Sequence, residues 1–292
     1  MMKLTLKFNL VLIFAFSIGL AITGIVTWQI LQDNARREML DRAGLMMDAA
    51  LAVRGYTVKQ IKPLLALQMK KTFLPQSVPA YAATEVFNKV REKHKEFAYK
   101  EATLNPSNPR DRAVDWETDI VNLFRSDAEQ KQIVGVRTTG IGGKSLYLAR
   151  PMQVKNPGCL TCHSTVAAAP KSQIAKYGTA NGFGWKMNEI VGARIVSVPM
   201  SVPLQQARTA FVTFMGLLVA VFVLIIIILN VMLRSIVIKP VTKLSGIADE
   251  VSKGYMEAPE FSERGKDEIS VLAASFNRMR RSLEKAMKML EE

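Results

Sequence analysis

AFVTFMGLLVAVFVLIIIILNVML at residues 210–233 and LVLIFAFSIGLAITGIVTWQI at residues 10–30 contain no Asp, Glu, Lys or Arg. Each is long enough to cross a bilayer as a helix, which takes about 20 apolar residues. Lys3 and Lys7 precede the first run as they would in a signal peptide, but the run is too long for a signal core. No small-residue cleavage site follows before Trp28-Gln-Ile-Leu31, so we read it as an uncleaved anchor. The plan is then a short N-terminus (1–9), a first span (10–30), an intervening domain (34–208), a second span (210–233) and a C-terminal module (234–287). Residues 288–292 are the start of an output helix or the end of the chain. An intervening segment of this length can bury a core of its own.

The formal charge of +14 is unevenly placed. Residues 34–208 carry 26 basic against 14 acidic side chains, whereas residues 234–292 carry 11 against 10. Flanking Lys3, Lys7, Arg234, Lys239 and Lys243 favour both termini in the cytoplasm, although Arg36, Arg37 and Arg208 blur the signal. With that topology the basic excess faces away from the cytoplasm, where nucleic acid is absent, so nucleic-acid binding is not expected. A solvated basic surface explains most of the excess. The carboxylates of a bound cofactor, anionic headgroups or an acidic partner are the other counter-charges open to it.

Cys159-Leu-Thr-Cys162-His163 contains both cysteines of the chain and one of its two histidines. Two thiols three apart with histidine next is the attachment signature of c-type haem. Each thiol adds to one vinyl group, the two-residue spacer lets both reach one porphyrin edge, and the imidazole of His163 serves as proximal ligand. A structural zinc site would need four ligands, with only His94 and carboxylates left to complete it. A thioredoxin-like pair would not require His163. A disulfide would close a very short loop and stabilise little. Covalent haem attachment takes place on the extracytoplasmic side, which resolves the orientation. Residues 34–208 are expected to be periplasmic, in a multi-pass protein of the bacterial inner membrane.

Within that domain, residues 34–72 read as a helix continuing from the first span and 83–95 as a second helix. An extended piece follows at 97–103, then a Pro/Asn loop at 105–109, and an amphipathic helix at 115–129. The β-rich runs 132–137 and 145–152 flank Thr138-Thr-Gly-Ile-Gly-Gly143 as a hairpin, and a last strand covers 192–199. The fold class is α+β, with helices preceding an antiparallel sheet and the Cys159–His163 loop at the sheet's edge.

Residues 45–205 resemble the periplasmic c-haem sensor domains of PAS-like fold found at the input end of bacterial membrane histidine kinases and chemoreceptors. The resemblance rests on Arg54-Gly-Tyr56, Phe73-Leu-Pro-Gln-Ser-Val-Pro79, Lys100-Glu-Ala-Thr-Leu-Asn-Pro106 with Asn108-Pro109, Glu117, Ala149-Arg-Pro151, Cys159 to His163, Tyr177-Gly178 and Gly182-Phe-Gly-Trp185. It implies one haem c per chain, held by Cys159 and Cys162 and ligated by His163, with Arg54 and Tyr56 in the cofactor site. No distal ligand carries over. His94 lies in a charged run that reads as a solvated helix face, and the domain's methionines are Met46, Met47, Met69, Met152, Met187 and Met200. Met47, on a helix face one turn or more before Arg54, is the distal candidate. An empty sixth position, open to NO, CO or O2, is equally compatible.

After Val237-Ile-Lys-Pro240 a heptad pattern begins. Val241, Leu244, Ala248 and Val251 are followed, past a linker through Gly254, by Ile269, Leu272, Phe276, Met279, Leu283, Ala286 and Leu290. Two such helices bury their seams best against a second chain, in a parallel four-helix coiled coil. With Pro240 and Asp267-Glu-Ile269 in place, the module resembles a HAMP domain. Membrane-surface helices would be more one-sidedly basic. The expected protein is a homodimeric, non-enzymatic transmembrane sensor that uses a separate histidine kinase or other partner. The alternatives are a membrane-anchored electron-transfer cytochrome and the input half of a longer kinase or chemoreceptor. Peroxidase chemistry would need a distal acid/base, and no second histidine is placed to provide one.

Overall fold

A computed structural model of the chain describes residues 4–139, 143–255, 259–261, 265 and 267–291. The chain divides into two units: Met1–Thr27 with Val212–Glu292, and Trp28–Phe211.

The second unit is built on an antiparallel sheet of β1 (Ala98–Thr103), β2 (Ile133–Thr139), β3 (Gly143–Gln153) and β4 (Ile190–Pro199), in the order β1-β4-β3-β2. The β2–β3 pairing confirms the hairpin, while its turn residues Gly140, Ile141 and Gly142 lie outside the described residues. One face of the sheet packs on α1 (Leu4–Tyr56) and α4 (Pro79–Arg91). Alternate strand residues Leu146, Leu148, Val196 and Val198, with Tyr99, meet Met39, Ala43, Met47 and Ala50 of α1 and Ala83 and Phe87 of α4. The α1 residues recur at helical spacing and form one stripe, and its alanines allow the helix to approach the sheet closely. The opposite face, with Ala102, Ala149, Ala193 and Ile195, packs on Ile120, Val121 and Phe124 of α5 (Asp115–Ser126). The start of α5 is pinned by Glu117, whose carboxylate accepts from the Val114 backbone N–H at 3.0 Å and pairs with Lys100 Nζ at 2.6 Å.

Two local departures from the sequence reading have physical causes. The expected helix over 34–72 is interrupted by a π turn, Thr57–Ile61, after which α2 (Lys62–Leu64) and α3 (Ala66–Lys71) complete it. Pro63 explains the break, because its ring cannot fit beneath the carbonyl four residues back and it has no N–H to give. Helix α4 begins at Pro79, four residues earlier than expected, since a proline is well suited to the first helical turn. It also ends at Arg91, so His94 sits in an exposed turn beyond the helix, edge-on to Phe97 at 5.9 Å.

The first predicted span lies within α1 and the second within α8 (Ser201–Met232) but for its last residue, Leu233; among the described residues these are the two helices apolar and long enough to cross a membrane. Asn9 and Asn230 exchange reciprocal amide hydrogen bonds of 2.9 and 2.7 Å, and Phe16 stacks on Phe222 at 4.6 Å. A second π turn, Leu233–Ile238, precedes Pro240 and α9 (Lys239–Ser252), and α10 (Glu268–Glu291) follows. Gly254, at φ +93°, closes α9 in a left-handed conformation that favours glycine. Within the single chain the buried faces are Leu244, Ile247 and Val251 of α9 and Ala273 and Asn277 of α10. The heptad residues Leu272, Met279 and Leu283 of α10 are exposed, as is Val241. Ile247 therefore takes the inward place expected of Ala248.

Met47 is 0% exposed in the face shared by α1 and the sheet. Met47→Ala should lower the unfolding free energy by about 2–5 kcal/mol, whereas Met47→Leu should cost less than about 1.5 kcal/mol. Denaturant melts of the detergent-solubilised full chain would measure both.

Candidate functional site: a tautomer-fixed histidine beside two thiols

The site lies in the connection from β3 to β4. Asn156 starts it as a turn cap: its side-chain oxygen accepts from the Gly158 N–H at 2.8 Å, and its carbonyl accepts from the Cys159 N–H at 3.0 Å. A 3₁₀ turn over Pro157–Cys159 runs into α6 (Leu160–His163). Residues three apart on a helical turn share a face, so Cys159 and Cys162 are presented together. Both thiols are free and half-buried. Burial raises the Cys162 pKa, with Lys62 pulling it down and Cys159 adding to the rise. Among the described residues no three His, Cys, Asp or Glu side chains converge as a metal-holding group.

His163 is held from two sides. Its ring stacks on Trp185 at 3.9 Å and 9° between planes, and its Nδ1 lies 2.7 Å from the carbonyl oxygen of Gly182. A carbonyl can only accept, so the proton must sit on Nδ1. That leaves the Nε2 lone pair free, the state a metal-binding imidazole requires. Burial also lowers the His163 pKa and so favours the neutral ring, an effect partly offset by the bond to the Gly182 carbonyl. Backbone bonds from Gly184 N–H to Ser164 O at 2.8 Å and from Trp185 N–H to His163 O at 3.1 Å tie the two segments side by side.

The acceptor carbonyl is itself positioned. Asn105 accepts from the Gly182 N–H at 3.1 Å and donates to the Phe183 carbonyl at 3.2 Å, gripping the peptide on both sides. Gly182 has φ +89°, and a Cβ there would fall 2.8 Å from the Ser107 backbone nitrogen, so only glycine fits against this segment. On the other side, the buried Gln173 donates to the Cys162 carbonyl at 3.1 Å from α7 (Lys171–Tyr177). Helix α7 is anchored in turn by Ser172, whose hydroxyl donates to Met69 O at 2.9 Å, and by Tyr177 edge-on to Phe73 at 5.4 Å.

The other expected site residues are placed unequally. Arg54, in the last turn of α1, forms an ion pair with the buried Glu101, which also accepts from the Tyr99 hydroxyl at 2.7 Å. Burial pulls the Arg54 pKa down, but Glu101, Tyr99 and Cys159 outweigh it, so the net direction is up. The Cys159 thiol is thus within electrostatic reach. Tyr56 is 59% exposed and makes no polar contact among the described residues. Met47 is enclosed in the apolar core, where packing accounts for it. Met69 is also engaged, its sulfur accepting from the Leu74 N–H at 3.0 Å and the Ser77 hydroxyl at 3.3 Å. Asn105, Gly182 and Trp185 stand in stretches that carry the family resemblance, yet nothing in the sequence ties them to the imidazole. Gln173 gives no sequence signal.

A helix-covered antiparallel sheet between two membrane-length helices, followed by a pair of amphipathic helices, is the plan of a membrane signal-transduction sensor. The chain belongs to the Tll0287-like family, whose model matches residues 32–199, and a HAMP domain follows over residues 232–285. A solved structure of the cyanobacterial haem protein Tll0287 is similar over 56% of this chain and 95% of its own, at 15% identity and a TM-score of 0.43. A comparison with curated proteins finds no match.

Because the folded pKa of His163 lies below the ordinary value of 6.5, its burial favours folding above that pH and the benefit is lost as pH falls. The metal-free full chain should lose stability as the pH falls below the ordinary histidine value, and His163→Gln should remove that component of the slope. Asn105→Ala should release the Gly182 carbonyl and mix the His163 tautomers. The ¹⁵N shifts of the imidazole report this directly.

Proposed function

We propose that the chain is a non-enzymatic transmembrane sensor whose outer domain holds a haem covalently and relays its state to the HAMP domain. The observation that carries this reading is the His163 imidazole, with its proton committed to Gly182 and its Nε2 left bare beside two free thiols on one helical turn. In this reading Cys159 and Cys162 form the thioethers and His163 is the proximal ligand. Held by these residues, a haem would supply an iron able to change oxidation state or to bind a diatomic gas. The chain's own residues supply the rest. Gly182 raises the basicity of the imidazole by accepting from Nδ1, and Trp185 fixes the plane of the ring. Arg54, paired with Glu101 within electrostatic reach of Cys159, belongs to the same site.

The outer domain lies on the periplasmic side of the bacterial inner membrane and both termini on the cytoplasmic side, as covalent attachment and the flanking lysines favour. The exposed heptad residues Leu272, Met279 and Leu283 support a homodimer, in which a second chain would cover them. A change of iron ligation or oxidation state, whether from redox poise or from NO, CO or O2, then biases two packings of the HAMP helices separated by a few kcal/mol. A kinase or other partner acting in trans receives the change.

Purified from a host that matures c-type haem, the wild-type chain should keep its haem through acidified-acetone extraction and denaturing electrophoresis. The Cys159→Ala/Cys162→Ala double variant should lose it. A ferrous spectrum that shifts with CO assigns the input to a gas, and one indifferent to CO assigns it to redox state. Spin labels on α10 should change their separation across the dimer when the haem is reduced or ligated. An unchanged separation would rule out relay through HAMP.

A further inference from the structure

The sheet face that buries the core changes character at the end nearest the site. In register across three strands stand Glu101 of β1, Arg194 of β4 and Arg150 of β3, since Glu101 pairs with Arg194 and Arg194 with Arg150. Arg54 of α1 reaches the same row through its ion pair with Glu101. Three guanidinium groups therefore meet two carboxylates, Glu101 and the outlying Asp48, which lies 3.0 Å from Arg150 and is 67% exposed.

Arg194 is left without a carboxylate. Its Nη2 donates to the Pro151 carbonyl at 2.5 Å, and its buried Nε has no partner among the described residues. Burial, then repulsion by Arg54, lowers its pKa, and Arg150 adds to the repulsion while Glu101 and Tyr99 oppose it. A half-buried cation with an unused donor and two like charges beside it is costly unless an anion completes the group. The guanidinium fork is suited to a carboxylate, which it can bind through two parallel hydrogen bonds.

We propose that Arg194, supported by Arg150 and Arg54, is a carboxylate seat that takes the haem propionates. The location selects this source. Arg150 lies three residues before the end of β3 and Arg194 four residues after the start of β4, the two strands joined by the segment that carries Cys159, Cys162 and His163. The Cys159 thiol is within electrostatic reach of Arg54, so the row and the thiols belong to one neighbourhood. Glu101 and Tyr99 keep Arg54 oriented, and Asp48 does the same for Arg150. Arg194 supplies the charge that neither carboxylate matches.

The inference rests on the haem reading, and the test separates the two. In the full-length holoprotein, redox titrations over a series of pH values would be run on the wild type, Arg194→Gln, Arg194→Lys and Arg150→Gln, with circular dichroism as the check on folding. With the seat intact, the propionates stay ionised through the neutral range and the midpoint potential is nearly independent of pH. Arg194→Gln should lower the potential and introduce a pH-dependent region near neutrality, Arg194→Lys should remain close to the wild type, and Arg150→Gln should show a weaker form of the Gln effect. If Arg194→Gln does not fold, Arg150→Gln decides alone. Covalent haem with identical pH profiles in all four proteins overturns the carboxylate seat and leaves the haem reading standing; absence of covalent haem in the wild type overturns both. A second arm uses the haem-free full chain with acetate or succinate. Thermal protection of the haem-free chain that disappears in Arg194→Gln and also disappears in the wild-type holoprotein supports the propionate assignment, whereas Arg194-dependent protection that persists in the holoprotein would assign the row to a soluble carboxylate and overturn it.

Discussion

The site depends on the direction of one hydrogen bond, from His163 Nδ1 to the Gly182 carbonyl, because that bond decides which imidazole nitrogen is available. Its geometry comes from elements distant in the chain. Asn105, just after β1, grips the peptide that carries the acceptor, and Ser107 leaves room there for nothing larger than glycine. Trp185 closes the other side of the ring. A long connection between two strands, here from Gln153 to Ile190, would ordinarily be the most variable part of such a domain. Here it is fixed from outside by side-chain to backbone bonds, which define a position without requiring a long helix or strand.

Local patterns made much of the fold legible. The spans follow from uncharged apolar runs, the strands from β-rich alternation, and the thiols with His163 from spacing within five residues. The residues that complete the site are of another kind. Glu101, Arg194 and Arg150 form a row only after the register of three strands is known, and a shift of one residue in any strand would send its member to the opposite face. Asn105 is 58 positions from His163 in sequence and meets it through a third segment. In the HAMP region the heptad is visible in the sequence, and two of its residues, Leu244 and Val251, are buried within the single chain together with Ile247, Ala273 and Asn277, which lie outside the heptad positions.

Charge is distributed in the outer domain with a similar division of labour. Lys100 and Glu117 join β1 to the first turn of α5, and Arg54 and Glu101 join α1 to the same strand. In each pair the carboxylate is the more buried partner and the cation faces outward. Half-exposed cations above buried acids leave neither Glu101 nor Glu117 without a counter-charge, and the uncompensated charge of this face falls on a cation, Arg194.

Both π turns end two residues before a proline, Thr57–Ile61 before Pro63 and Leu233–Ile238 before Pro240. A π turn holds one more residue than the α turn it replaces. The helix leading into α9 therefore contains slack of one residue, and losing that residue could tighten the turn without rotating the apolar stripe that follows. Evolution could accordingly adjust the length of the second membrane helix, to suit bilayers of different thickness, while leaving undisturbed the face on which Leu244, Ile247 and Val251 stand.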